Sequence, residues 1–229
     1  MQYMGSKNRI AKHILPILLS GRKPHQIYVE PFVGGANMID KVGGRRLGND
    51  NHYNLIALWK ALQQGWKPPT DVSKSYYYEV KSNRDRLDPA LVGFVGFLCS
   101  FGGKWWGGYA ANKKGDNYAD RGARVLLKQI KCLTDVVFTF GEYWNVPLEP
   151  RSFIYCDPPY EGTTQYAGGF DHTRFWDWSR NTSKQGHDVL VSEYAAPEDF
   201  ECIKSIEHKT ILDKNSQYHR EERLFRYRG

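Results

Sequence analysis

The stretch 152-SFIYCDPPY-160 decides the architecture. Residues 153–156 form a short apolar run, rich in aromatic and β-branched side chains and too short for a helix, so they read as a buried strand. Pro158 and Pro159 stop the run, because neither has an N–H to give a neighbouring strand. Asp157 therefore stands at a strand's carboxyl end, where open α/β sheets bind their ligands.

Working outward, the pattern repeats. In 27-IYVEPFVGG-35, residues 27–29 read as a strand running into a glycine turn, with 36–41 opening a helix. The stretch 44-GRRLGND-50 reads as a second strand ending in Asp50. Leu55, Ile56, Leu58, Trp59 and Leu62 then share one helical face, and Gly65 stops that helix. A first helix is expected over 6–19, shortened or kinked by Pro16. Downstream, strands are expected at 136–140, 153–156 and 189–192, a helix at 172–183, and a terminal antiparallel hairpin from 204–212 and 223–227. The fold class is α/β: a Rossmann-like, mostly parallel sheet with helices on its faces.

Composition interrupts this pattern once. Residues 68–134 are basic and aromatic, with helices expected at 75–86, 89–101 and 121–133 around a glycine-rich stretch, GGKWWGGYAANKKGDN. Between Lys74 and Lys131 there are 11 Lys/Arg against 5 Asp/Glu, which is nearly all of the chain's net charge of +7. We read 1–67 and 135–229 as one catalytic domain and 68–134 as an inserted, mainly helical subdomain for a polyanionic partner.

The remaining bulk properties exclude several classes. At 229 residues, 41% hydrophobic and 25% charged, the chain can bury a real core and is not a disordered one. No apolar run is long enough to span a bilayer, and no leader peptide is expected from MQYMGSKNRI. The four cysteines are far apart and the histidines lack ligand spacing, so we expect reduced thiols, no metal and a cytoplasmic monomer.

Each residue of the Asp157–Tyr160 loop has a use if the substrate is an amino group on a base. Such an amine is conjugated with its ring and is a poor nucleophile. The Asp157 carboxylate can accept one of its N–H groups and the Pro158 carbonyl the other, which favours a pyramidal nitrogen with a free lone pair. Tyr160 offers a flat face to the base. An ordinary Asp-Pro-Pro turn would look the same in isolation. Gly34 lets the backbone approach a ligand, and Asp50 could accept from two ribose hydroxyls. Alternatively, these two residues serve as a structural turn and a helix cap. Lys7, in 3-YMGSK-7, could pair with a ligand carboxylate or be a solvated charge.

Taken together, YMGSK, EPFVGGANM, the NDN of 49–51, DPPY and the tail EERLFRY resemble the D12-class N6-adenine DNA methyltransferases, in the order of that family's α group. The resemblance is to its Dam-type and especially phage-like members, and spans nearly the whole chain. It implies a methyl transfer from S-adenosylmethionine to N6 of adenine in double-stranded DNA. It also implies that Tyr3, Lys7, Glu30, Phe32, Gly34, Asp50, Tyr143 and Asp157 surround the cofactor, while Asp157, Pro158 and Tyr160 carry the reaction. The Asn-Gly-x-x-Arg element familiar from GATC-reading members is not found, so no GATC specificity is implied.

A base inside a duplex must leave the stack to react, which costs a few kcal/mol. Lys104, Lys113, Lys114, Arg121 and Arg124 suit phosphates or a guanine edge. Trp105, Trp106 or Tyr109 could fill the gap left by the base, or pack the insertion's own core. Three other readings stay open on the residues alone: N4-cytosine methylation, methylation of RNA or a protein amide, and a silent DNA-binding module. A nicotinamide oxidoreductase is disfavoured by the missing GxGxxG.

Overall fold

The computed structural model describes residues 1–162, 169–213 and 216–229, with the backbone alone at 207–213 and 216–220. Its strands are β1 Tyr28–Glu30, β2 Arg46–Asp50, β3 Val136–Phe140, β4 Phe153–Cys156, β5 Asp188–Glu193, β6 Phe200–Asp213 and β7 Ser216–Tyr227. They form one seven-stranded sheet in the order β3-β2-β1-β4-β5-β7-β6. The first five are parallel; β7 runs antiparallel to β5, and β6 to β7. The chain leaves β1 toward one edge and β4 toward the other. The crevice between their carboxyl ends is therefore the topological switch point, the ligand-binding position of such sheets.

The helices are α1 Ala11–Leu18, α2 Tyr53–Gln63, α3 Lys74–Ser82, α4 Pro89–Leu98, α5 Tyr118–Gln129 and α6 His172–Lys184. Their starts follow local chemistry. Asp88 caps α4, accepting from the N–H groups of Ala90 at 2.9 Å and Leu91 at 3.1 Å, with Pro89 behind it in the first turn. Ser73, Asn117 and Asp171 cap α3, α5 and α6 in the same way.

The five parallel strands fall within a residue or two of expectation, but several helices do not. The segment after the glycine turn is no helix beyond the short 3-10 turn Ile39–Lys41, because Ala36 sits at a positive φ of 52° and breaks the run. The first helix is split into the 3-10 turn Lys7–Arg9 and α1, which carries Pro16 inside it. The terminal hairpin is far longer than expected. Its β7 pairs with β5 only from Arg223 to Arg226, so residues 216–222 extend past the carboxyl end of β5.

The helices α3, α4 and α5 between β2 and β3 share the sheet's core. α4 is buried almost all round and packs on α2, α3 and α5. A Cβ at Gly93 would lie 2.3 Å from the backbone oxygen of Asn54 in α2, so the closeness of these two helices depends on glycine there. Leu58, Trp59, Val72, Tyr77, Phe94 and Leu126 belong to one continuous cluster. Among the described residues, no helix is long and apolar enough to cross a membrane, and no cluster of His, Cys, Asp or Glu is arranged to hold a metal ion.

Candidate active site

The glycine turn, the end of β2 and the loop after β4 meet at the switch point. Gly34 has a φ of 47°, and a Cβ there would lie 2.8 Å from the Tyr3 ring; glycine is required by both conformation and space. Its N–H donates to Asp50 Oδ2 at 2.9 Å, and the His52 N–H donates to Asp50 Oδ1 at 3.0 Å. The carboxylate is thus pinned from two sides at the end of β2. The helix cap falls elsewhere: His52 Nδ1 accepts from the Leu55 N–H of α2. Burial raises the Asp50 pKa to about 6 against the pull of those two N–H groups.

Glu30 ends β1, is buried, and accepts from the Tyr28 hydroxyl at 2.9 Å. Burial, with the nearby Asp157 charge adding to it, raises its pKa well above the carboxylate range despite that bond. Phe32 follows, half-buried, with its ring 5.2 Å from Tyr143. Tyr143 is buried in a 3-10 turn after β3, among Phe32, Phe170 and Phe175. Its hydroxyl has no hydrogen-bond partner among the described residues, and burial pushes it up to about 12.

Beyond β4, Asp157 Oδ1 stands 2.8 Å from the Lys7 ammonium, which lies 3.7 Å from Glu222 and 4.4 Å over the Tyr160 ring. The Tyr160 hydroxyl donates to Glu222 in turn. Lys7 is buried, which alone would lower its pKa, but the two carboxylates outweigh that and hold it above its ordinary value. Glu193, at the end of β5, is buried, and one of its oxygens lacks a hydrogen-bond partner among the described residues. Burial carries its pKa to about 7, with backbone N–H groups opposing and the charges of Asp157 and Glu222 adding.

The inserted segment touches this site directly. The Tyr3 ring packs on Phe97 of α4 at 5.4 Å, and the His52 ring on Trp105 at 4.2 Å. Gln129 of α5 donates to the carbonyls of Gly35 and Ala36 at 3.1 and 3.0 Å. Trp105, Trp106 and Tyr109 are half-buried and pack on the core: Trp105 lies against Gly96 of α4 and Trp106 against Tyr77. Their rings are committed to packing, whereas Lys104, Lys113, Lys114, Arg121 and Arg124 are exposed.

The structure thus brings together Tyr3, Lys7, Glu30, Phe32, Gly34, Asp50, Tyr143, Asp157, Pro158 and Tyr160. Sequence reading missed Gln129, His52, Glu193 and Glu222. For Glu222 one signal exists in the chain, an acid two residues ahead of the apolar pair Leu224-Phe225 within the tail motif EERLFRY.

Residues 3–90 match the family model described as D12 class N6 adenine-specific DNA methyltransferase. Curated relatives include the DNA adenine methylases of two strains of Vibrio cholerae serotype O1 (ATCC 39541 and ATCC 39315). Each is 25% identical over 227 residues, covering 85% of this chain and 80% of the relative. Among solved structures, SMU.472, described as a methyltransferase complexed with SAH, aligns at 12% identity and a TM-score of 0.40. It covers 100% of this chain and 54% of the other, so this chain spans about half the length of that one. Over residues 3–90 the chain is therefore similar to the D12 class of N6 adenine-specific DNA methyltransferases, and over most of its length to DNA adenine methylases.

Proposed function

We propose that the chain methylates N6 of an adenine drawn out of duplex DNA, with the loop Asp157–Tyr160 as its reacting centre. The observation that carries this is the position of Asp157. It is a carboxylate at the carboxyl end of β4, on a proline-stiffened loop, beside the glycine turn of β1 and ion-paired with a buried lysine.

The residues fit S-adenosylmethionine. Asp50, Asp157 and Glu222 set three carboxylates around the crevice against the buried cation Lys7, which suits a cationic ligand. Asp50 is fixed by two backbone N–H groups, and each oxygen keeps a lone pair for a ribose hydroxyl. A side chain at Gly34 would collide with the Tyr3 ring, so glycine there lets Tyr3 lie against the turn beside the crevice. When bound, that cofactor supplies the sulfonium methyl. Phe32 and Tyr143 would flank its adenine end, and Tyr3 and Lys7 its methionine end.

The chain's own residues do the rest. Asp157 and the Pro158 carbonyl accept the two N–H groups of the target amine and hold its lone pair toward the methyl. Asp157 then takes the proton that the nitrogen loses. Tyr160 stacks on the base, worth about 1–3 kcal/mol. Lys104, Lys113, Lys114, Arg121 and Arg124 hold the phosphates, and the insertion acts as the recognition element of a cytoplasmic monomer.

The test is to incubate the protein with unmethylated DNA and S-adenosylmethionine, digest to nucleosides and analyse by mass spectrometry. N6-methyladenine from the wild type and none from Asp157→Ala is the expected result. N4-methylcytosine would overturn the base assignment, and no cofactor binding at all would overturn the reaction.

A further inference from the structure

Lys7 is shared by two carboxylates, and only one of them belongs to the loop that reacts. The other, Glu222, comes from β7, the antiparallel strand beside β5. Glu222 is 4% exposed, in a strand whose next residues Leu224 and Phe225 are core. A buried acid costs several kcal/mol unless it is paired and hydrogen-bonded. Here both conditions are met by active-site groups: the Lys7 ammonium at 3.7 Å and the Tyr160 hydroxyl. Nearby, Ser192 of β5 bonds the Tyr155 hydroxyl of β4 at 2.8 Å. One carboxylate of β7 therefore holds both the N-terminal Lys7 and Tyr160 of the loop after β4, directly behind the reacting centre.

Resting on the proposed reaction, we infer that Glu222 is its positioning residue: it holds the Tyr160 ring for the base and draws part of the Lys7 charge away from Asp157. Lys7 with Asp157 alone is a neutral pair, and a carboxylate fully engaged by an ammonium is a weak acceptor for an amine. With Glu222 the three groups carry a net charge of −1, so Asp157 keeps acceptor capacity, and the cluster complements a ligand of charge +1. The ring of Tyr160 is fixed at both ends, by its hydroxyl on Glu222 and by its face under Lys7. Glu222 does not itself touch the base.

The titratable groups facing Glu222 are Lys7, Asp157, Tyr160, Tyr155 and Glu193. Burial raises the Glu222 pKa, with Lys7 opposing and Asp157 adding. Glu222 therefore loses its charge on the acid side before an ordinary glutamate would, and the turnover rate should fall with it.

The experiment measures kcat, KM for DNA and the pH profile of kcat for the wild type, Glu222→Gln and Tyr160→Phe, with S-adenosylmethionine binding by calorimetry. Glu222→Gln keeps an acceptor for Tyr160 but removes the charge. The expected result is a kcat lowered about tenfold or more, a near-unchanged KM, and loss of the wild type's acid limb. Tyr160→Phe removes a donor to Glu222 and should shift that limb to higher pH; it decides the matter if Glu222→Gln does not fold. A wild type that makes N6-methyladenine while both variants keep its kcat and profile overturns the positioning role alone. A wild type that makes none overturns the reaction, and this inference with it.

Discussion

The ammonium of Lys7 and the carboxylate of Asp157 stand 2.8 Å apart, with side chains 9% and 22% exposed. Removing the cation is costly, because Lys7→Met would leave the half-buried Asp157 and the buried Glu222 without their partner. Lys7→Met should therefore destabilise the fold by about 3 kcal/mol, read as a lower denaturant midpoint with an unchanged slope. Methylation should fall with it. If stability and activity both hold, the pair is incidental.

Asp50 gives a pH dependence whose sign can be worked out. Its folded pKa is raised from 3.8 to about 6, so the folded state binds the proton more tightly than the unfolded chain does. Its contribution to stability is full below pH 4 and is lost as pH rises through about 6. Glu193 acts in the same sense between 4.5 and about 7. Without ligand, the difference in stability between wild type and Asp50→Asn should change across this window and flatten above it. S-adenosylmethionine affinity should move oppositely, weakening below pH 6 in the wild type but not in Asp50→Asn. Calorimetry at pH 5 and pH 8 would show both.

Trp105 separates packing from DNA contact. A Cβ at Gly96 would come within 2.2 Å of its ring, and Phe97 and His52 close on it from other sides. Trp105→Ala should cost about 3–5 kcal/mol of stability, visible as a large drop in Tm. Loss of DNA affinity at unchanged Tm would instead place the ring in the interface.

Lys113 and Lys114 are exposed on the glycine-rich stretch. Their joint change to alanine should leave Tm unaltered and weaken DNA binding at moderate salt. The slope of log K against log salt should fall by about 1 for each phosphate that these lysines no longer neutralise. An unchanged slope would remove this stretch from the interface.

Much of this was legible in the sequence. Strands β1, β4 and β5 could be read because short apolar runs buried along their length carry their own signal. The family order of YMGSK, EPFVGG, NDN and DPPY makes Lys7, Gly34, Asp50 and Asp157 candidates without any distance between them. The sequence could not show that Trp105 and Trp106 face inward. Composition does not distinguish a stacking surface from a core, and the answer depends on the space that Gly96 leaves. It could not show that Ala36 takes a positive φ and ends the expected helix, since that conformation is imposed by the turn beneath Tyr3. Above all, it could not bring Glu222 to Lys7. Local sequence sets which residues can form a strand or a turn. Which strand lies beside which is settled by the packing of the whole sheet, and only the antiparallel return of β7 beside β5 places that acid behind Tyr160.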